Sequence, residues 1–434
     1  MMRECCSAGV KLELKKLDIR GNNLSDIDGS LLASLFVIAP TLSTLNMSGC
    51  SLSGVIVNDM MRECCRAGVK LKLMQLDISG NNLSNIDGSL LASLLVISPT
   101  LSTLDMSGCS LSGVIVNDMM RECCRAGVKL ELVKLDISGN NVSNIDGSLL
   151  ASLLVIAPTL STLNMSGCSL SGVIVNDMMR ECCSKGVKTE LAVLHISDNN
   201  LSDIDGSLLA SLLVIAPTLS TLDMSGCSLS GVIVNDMMRE CCSKGVKTEL
   251  AVLHISDNNL CDIDGSLLAS LLVIAPTLST LDMSGCSLSG VIVNDMMREC
   301  CSAGVKLKLM ELDISGNNLS NIDGSLLASL LVIAPTLSTL NMSGCSLSGV
   351  IVNDMMRECC SAGVKLELMK LVISGNNLSN IDGSLLASLL VIAPTLSTLN
   401  MSGCSLSGVI VNDMMSECCS RGVKLKFNQP NDTI

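Results

Sequence analysis

Apolar and polar residues along this chain follow a pattern that returns at fixed spacings. The first copy has the order L-x-x-L-x-L-x-x-N-x-L, formed by Leu14, Leu17, Ile19, Asn22 and Leu24. A second copy starts 28 residues later at Leu42 and has Cys50 in the asparagine position, and the next asparagine copy starts at Leu73, after a further 31 residues. Fourteen complete copies form seven near-identical units of 59 residues plus a partial eighth. Self-similarity at a fixed period predicts a repeat solenoid.

Each copy of the pattern predicts a short strand at its start. Leu14, Leu17 and Ile19 have the spacing of a strand whose alternate side chains enter a core. Asn22 follows at the point where the chain turns away, and its amide can satisfy the backbone groups of that turn. Because every coil turns in the same direction, we expect these strands to align in parallel in one sheet.

Each strand is followed by a segment with helical periodicity. In the asparagine copies we expect a helix over Gly29–Ile38, with Asp28 as its N-cap and Pro40 ending it. In the cysteine copies a helix is expected over about residues 55–65, with Gly68 as a C-terminal cap. The sheet would then line one face of the solenoid and the helices the other.

This alternation of asparagine and cysteine repeats resembles the ribonuclease-inhibitor-like class of leucine-rich repeats, found in ribonuclease inhibitor and in the sensor regions of NOD-like receptors. The resemblance covers residues 1–427. It implies an α/β horseshoe with a parallel sheet on the concave face and helices on the convex face, and it implies a protein-binding role. We therefore expect a single solenoid domain over residues 1–427 and a C-terminal tail over 428–434.

Composition narrows the classes of partner. Apolar residues make up 48% of the 434 residues, but there is no Trp or Tyr, and the net charge is −13. An acidic chain disfavours nucleic acid, which needs a basic face, and favours a basic protein partner. The apolar run at residues 31–38 is far shorter than the ~20 residues of a membrane span, so no membrane association is expected.

The 24 cysteines follow the repeat rather than a disulfide framework. One occupies the asparagine position of each cysteine copy, and most of the others form helix doublets such as Cys64-Cys65. Reduced, largely buried thiols in a cytoplasmic protein are the expected state. Adjacent cysteines without a second pair or a nearby His lack zinc-ligand spacing, so neither a metal nor a cofactor is predicted.

The strand position between the second and third apolar residues points out of the core, and we call its occupants the strand-end column. Its fourteen members are Asp18, Asn46, Asp77, Asp105, Asp136, Asn164, His195, Asp223, His254, Asp282, Asp313, Asn341, Val372 and Asn400. Half of them are Asp, and parallel strands lie about 4.8 Å apart, so like charges would stack. The aspartates and histidines of this column are the candidate partner-binding residues; the alternative is a generic solvated face.

Two histidines stand out within the column. His195 and His254 alternate with Asp223 and Asp282, which suggests a weak metal site as one hypothesis. The competing explanation is duplication, because the fourth and fifth units differ only at Ser202 and its counterpart Cys261. No nucleophile paired with a base is evident, so no catalytic residue is predicted.

Differences between units cluster near the strands of the asparagine copies. One exposed pair of positions varies most, as Lys15-Lys16, Met74-Gln75, Val133-Lys134, Ala192-Val193 and Met310-Glu311. The asparagine-type strands are therefore the variable part of the predicted concave face.

These features favour a non-enzymatic protein-interaction scaffold, the ligand-sensing or partner-binding region of a larger cytosolic protein. A freestanding inhibitor that wraps a basic enzyme is the alternative, and a truncated or recently expanded array without a dedicated partner is a third possibility. Met1 falls inside a repeat, and uncapped solenoid ends expose core, so end-to-end self-association is also expected.

Overall fold

A computed structural model describes residues 11–363 and 365–420. Along the sequence the chain divides into two compact units, which meet between Ser228 and Leu229. The tail after residue 427 and the predicted end-to-end association both involve segments outside the described residues. The single domain over residues 1–427 likewise stays a prediction.

The first unit alternates three-residue strands with helices of 10 or 13 residues. Its strands are β1 Lys16–Asp18, β2 Thr44–Asn46, β3 Gln75–Asp77, β4 Thr103–Asp105, β5 Lys134–Asp136, β6 Thr162–Asn164, β7 Val193–His195 and β8 Thr221–Asp223. Its helices are α1 Gly29–Ile38, α2 Gly54–Arg66, α3 Gly88–Ile97, α4 Gly113–Arg125, α5 Gly147–Ile156, α6 Gly172–Ser184 and α7 Gly206–Ile215.

The second unit continues the same alternation. Its strands are β9 Val252–His254, β10 Thr280–Asp282, β11 Glu311–Asp313, β12 Thr339–Asn341, β13 Lys370–Val372 and β14 Thr398–Asn400. Its helices are α8 Gly231–Ser243, α9 Gly265–Ile274, α10 Gly290–Ser302, α11 Gly324–Ile333, α12 Gly349–Ser361, α13 Gly383–Ile392 and α14 Gly408–Ser420.

Within each unit the strands are parallel and lie in the order of the sequence, as predicted. Leu45 pairs with Leu76 and Leu76 with Leu104, so the central leucines form one row into the core. The apolar residues that follow each strand are also buried, including Met47 and Leu52 at 0% exposure. Stacking therefore buries a continuous core of Leu, Ile, Met, Val and Cys between sheet and helices.

The helix boundaries follow from capping. The Asp28 side chain accepts a hydrogen bond from the Ser30 N–H and begins α1 as predicted. Ser53 does the same for α2 through the Ile56 N–H, so this helix begins one residue earlier than expected. Gly68 has φ +60°, and the left-handed turn that it permits ends the helix, as the sequence predicted. None of the helices in the described ranges combines the length and hydropathy of a membrane span.

Glycine at the first position of most helices has a packing cause. A Cβ on Gly147 would overlap the Ile174 carbonyl oxygen of the following helix and lie 2.9 Å from Asp177 Cβ. Gly113 meets the backbone of Ile145 in the same way. Only a residue without a side chain allows successive helices to approach so closely.

The asparagine position joins neighbouring coils. Asn81 Nδ2 donates to the carbonyls of Ile78 and Met47, at 2.8 and 2.9 Å. Its Oδ1 accepts from the N–H groups of Cys50 and Leu52, at 3.0 and 2.9 Å. The amide therefore satisfies its own turn, as expected, and also three backbone groups of the preceding coil.

Candidate functional site

The strand-end column forms a straight row on the outer face of the sheet within each unit. In the first unit Asp77 pairs in register with Asp105, and Asp105 with Asp136. In the second unit Asp282 pairs with Asp313. Three consecutive carboxylates in one unit and two in the other are thus brought side by side, as the repeat spacing predicted.

Each column aspartate also has a local role that the sequence reasoning missed. Asp77 Oδ1 accepts from the N–H and the hydroxyl of Ser79, at 3.0 and 2.6 Å. Asp105 and Asp136 bind the serine two residues further on in the same way. Since Asn46 accepts from the Ser48 N–H at 2.9 Å, asparagine satisfies the turn equally well. A neutral side-chain oxygen therefore bonds this turn as well as a carboxylate does, so the turn does not require a charge.

The second carboxylate oxygens of the first unit differ in their partners. Asp77 Oδ2 accepts from Asn46 Nδ2, and Asp136 Oδ2 accepts from Asn164 Nδ2, both at 2.9 Å. Asp105 lies between these two aspartates, and its Oδ2 accepts no hydrogen bond from the described residues. Asp105 is thus the central residue of the row Asn46, Asp77, Asp105, Asp136 and Asn164. Its carboxylate is the one best placed to accept a hydrogen bond from a partner molecule.

Asp18 lies at the start of the column, in register with Asn46. Its Oδ1 is 3.7 Å from Arg20 Nε, and the Arg20 side chain is largely exposed. This aspartate is already paired with a cation of its own coil, so it differs from the three aspartates of β3–β5.

The two histidines occupy the predicted column positions. His195 Nδ1 lies 3.5 Å from Asp223 Oδ2 in the first unit. His254 is in register with Asp282 in the second unit. Across the described part of the chain, no group of three or more His, Cys, Asp and Glu is arranged to hold a metal ion. The weak metal site at His195 and His254 therefore gains no support from the geometry.

A shallow depression lies on the sheet of the second unit, with a volume of about 420 Å³. It runs from His254 on β9 to Lys370 on β13, and Asp282, Glu311 and Asp313 lie along it. Its lining comes from the two outward positions of successive strands, so it follows the sheet across the coils.

An apolar row borders the strands at their entry. Met74 and Val133 of the first unit are 53% and 44% exposed, and Met310 and Met369 of the second are 52% and 55% exposed. Serines occupy the same position in the cysteine copies; the Met310 N–H, for example, donates to the Ser279 carbonyl. The sequence marked this position as exposed and variable, but it did not single out its apolar character.

The cysteines of the described residues are thiols rather than disulfides. The first member of each doublet is buried, and burial raises the pKa of Cys64 to about 12. The cysteine of the strand-end turn is also buried, and Cys109 Sγ donates to the Ile78 carbonyl at 3.1 Å. These thiols therefore serve as small core residues, as the sequence indicated.

Nine segments of the chain match the family described as Leucine Rich Repeat. They are residues 13–35, 41–62, 100–121, 159–180, 218–239, 277–298, 308–330, 336–357 and 395–416. Among solved structures, an internalin of Listeria monocytogenes is similar with a TM-score of 0.56 and 20% identity, covering 92% of this chain and 88% of its own. A leucine-rich-repeat protein of Leptospira interrogans has a TM-score of 0.59 and 16% identity, covering 93% and 89%.

The chain is therefore a leucine-rich-repeat protein, and the predicted α/β leucine-rich-repeat solenoid is confirmed. Among curated proteins, the Tonsoku-like protein of Mus musculus is 25% identical over 319 residues, which cover 71% of this chain and 20% of that protein. The Tonsoku-like protein of Bos taurus is 26% identical, covering 76% and 22%. The chain thus spans about a fifth of the length of these relatives. The narrower ribonuclease-inhibitor-like assignment stays a prediction.

Proposed function

We propose that this chain is a non-enzymatic protein-interaction scaffold whose strand-end column binds a basic protein partner. The observation that carries the proposal is the stack of Asp77, Asp105 and Asp136 on adjacent strands of the first unit. Leucine-rich-repeat arrays are typical protein-interaction scaffolds, which supports the general class.

The charges of this stack are not needed for folding of the turns. Like charges directly opposite each other on adjacent strands destabilise a sheet, by roughly a few tenths of a kcal/mol for each pair. Asn46 and Asn164 show that a neutral amide can make the same turn. The three consecutive negative charges therefore destabilise the sheet and are not needed to form the turns. A lysine or arginine of a partner would remove this repulsion and bind the unpaired Asp105 Oδ2.

We further propose that the chain is the partner-binding region of a larger cytosolic protein. Its curated relatives are about five times longer than the part that it matches, which favours the larger context. The free and largely buried cysteines are those expected of a reducing compartment, which favours a cytosolic location.

The test is binding to a panel of small basic proteins and to a poly-lysine peptide, at low and at moderate salt. Binding should be measurable at low salt and weaken as salt screens the column. The variant Asp77→Asn/Asp105→Asn/Asp136→Asn should fold normally, because asparagine already makes this turn, but it should lose most of the binding.

A matched control removes equal charge elsewhere in the same unit. The variant Glu13→Gln/Glu131→Gln/Glu190→Gln changes three exposed carboxylates outside the column and should bind almost normally. No binding to any basic probe at low salt, or equal losses in the two variants, would contradict the proposal.

A further inference from the structure

Three features of the second unit occur along the same run of strands, β9–β13. They are the carboxylates of the strand-end column, the depression of about 420 Å³ beside them and the exposed Met310 and Met369 at the strand entry. Surfaces that combine exposed methionines with charge of one sign suit partners that combine apolar side chains with the opposite charge. The geometry of the three features defines that partner more closely.

The distance between the two methionines determines which backbone conformation of a bound partner segment could contact both of them. The Met310 N–H donates to the Ser279 carbonyl, the Ser338 N–H to the Met310 carbonyl, and the Met369 N–H to the Ser338 carbonyl. Met310 and Met369 are thus two coils apart in one continuous row, a separation of about 9.6 Å at the usual strand spacing.

A helix crossing the strands matches this separation. Residues i and i+7 of an α-helix lie on the same face and are about 10.5 Å apart along its axis. An extended segment covers the same distance in about three residues, but side chains at i and i+3 point to opposite sides of a strand. Only the helical segment can therefore place an apolar side chain on both methionines.

The width of the surface fits a helix as well. Met310 lies in the bend directly before β11 and Asp313 ends that strand, so the two residues are up to about 10 Å apart along the chain, which matches the diameter of an α-helix. The depression follows β9–β13, four strand spacings or about 19 Å, which corresponds to about 13 helical residues. A helix in the depression would thus contact the methionines along one side and the carboxylates along the other.

The negative charge of the depression determines which polar residues the bound helix should carry. Asp282, Glu311 and Asp313 line the depression against a single lysine, Lys370, at its far end. Asp313 Oδ2 accepts from Asn341 Nδ2 at 2.7 Å, so this carboxylate is already held in a fixed position. Lysine and arginine at three- and four-residue spacing would face successive strands.

We propose that the sheet face of the second unit binds a basic amphipathic α-helix of a partner protein, lying across β9–β13. Its apolar side chains, seven residues apart, would contact Met310 and Met369, and its basic side chains would contact Asp282 and Asp313. This inference rests on the proposed function and specifies the partner that the surface accepts.

The experiment uses the full chain and three synthetic 14-residue peptides, of which the first two are composed of Leu, Lys and Ala only. The first has two leucines seven residues apart beside lysines at three- and four-residue spacing. The second has the same composition in an order that places the leucines on opposite helix faces. The third has a central proline that breaks the helix. Affinity is measured by fluorescence anisotropy, and helix formation by circular dichroism.

The first peptide should bind at least about ten-fold more tightly than the other two and become helical on binding. The variant Met310→Ser/Met369→Ser should abolish that preference. It should fold normally, since both side chains are exposed and serine occupies the same row in intervening coils. The matched variant Met74→Ser/Val133→Ser in the first unit should retain the preference.

The possible failures are distinguishable. Equal, salt-sensitive binding of all three peptides would overturn the helix inference and leave the acidic scaffold proposal intact. Equal losses from the two serine variants would overturn the assignment to the second unit. Binding of no peptide at low salt would contradict both the inference and the proposed function.

Discussion

The buried asparagine at the end of each asparagine-type strand links two coils through one side chain. Asn140 donates to the carbonyls of Ile137 and Met106 and accepts from the N–H groups of Cys109 and Leu111. All of these groups lie in the interior, where an unpaired backbone N–H or carbonyl is costly. The residue is therefore fixed by the backbone rather than by any ligand.

Replacing this amide should be among the most damaging single changes in the chain. Asn140→Ala should lower the free energy of unfolding by about 3 kcal/mol, because four buried backbone groups lose a partner. Urea denaturation followed by circular dichroism measures the change. Asn22→Ala is the control, since Asn22 is exposed and, among the described residues, bonds only to the Ile19 carbonyl; an equal loss there would contradict the argument.

Ser98 presents the opposite case, a buried hydroxyl with no hydrogen-bond partner. It follows α3 at a position where the neighbouring asparagine copies have Ala39 and Ala157, both buried. Ser98→Ala should raise the free energy of unfolding by about 1 kcal/mol, because an unsatisfied buried oxygen is removed without creating a large cavity. Thermal and urea denaturation measure it. The reciprocal Ala157→Ser should be destabilising, and a stabilising effect would refute this account.

At the scale of elements, the helices of the asparagine copies depend on their N-cap aspartates. Asp146 accepts from the N–H and hydroxyl of Ser148, and this hydrogen bonding is the main cause that lowers the carboxyl pKa. Five other N-cap aspartates have pKa values lowered by the same cause, and they are Asp87, Asp205, Asp264, Asp323 and Asp382. Asp146→Ala should therefore cost about 1 kcal/mol of stability at neutral pH, and Asp146→Asn much less.

The same carboxylates should contribute to acid unfolding. Because their folded-state pKa values are lowered, their stabilisation is present above the unfolded pKa of about 3.9 and is lost as pH falls through the folded value. Replacing all six by asparagine should flatten the pH dependence of the free energy of unfolding below about pH 4. Urea titrations at several pH values measure this slope, and an unchanged slope would exclude the caps as its source.

At the scale of the whole molecule, repetition sorts the cysteines into chemical classes. Of the 22 in the described residues, fourteen are buried and seven are exposed. Exposed ones include the second doublet member, such as Cys65, whereas Cys64 and Cys109 are buried. Burial raises the pKa of Cys109 to about 11, so its thiolate is scarce at pH 8 as well as inaccessible.

Alkylation of the native protein at pH 8 should therefore label the second cysteine of each doublet and Cys261. It should spare Cys109 and its copies, which stand in the sequence Ser-Gly-Cys-Ser. Peptide mass spectrometry with fragmentation assigns each label to its cysteine, which is needed because Cys261 and Cys286 share one tryptic peptide. Labelling in denaturant is the control, in which all thiols should react. Rapid labelling of the Ser-Gly-Cys-Ser class without denaturant would show that the core is open there.

Much of this architecture could be predicted because each coil repeats a local pattern. The helix over Gly29–Ile38 and its Asp28 cap were predicted residue for residue, since a cap acts on the next few residues. The column positions were also predicted, because strand alternation determines which side chains point outward. The hydrogen bond from Ser79 to Asp77 was missed, since it depends on the exact path of the turn after the strand.

The sequence by itself determined the period, the parallel order of strands within each unit and the acidic column, because all three follow from local spacing repeated many times. Only the tertiary structure decided why glycine begins most of the helices and which carboxylate oxygens remain open. It also decided that Glu311 and Lys370, which directly follow the exposed Met310 and Met369, line a depression. These features depend on distances between coils, such as the close approach of Gly147 to the next helix, and the spacing of residues along one chain does not specify them.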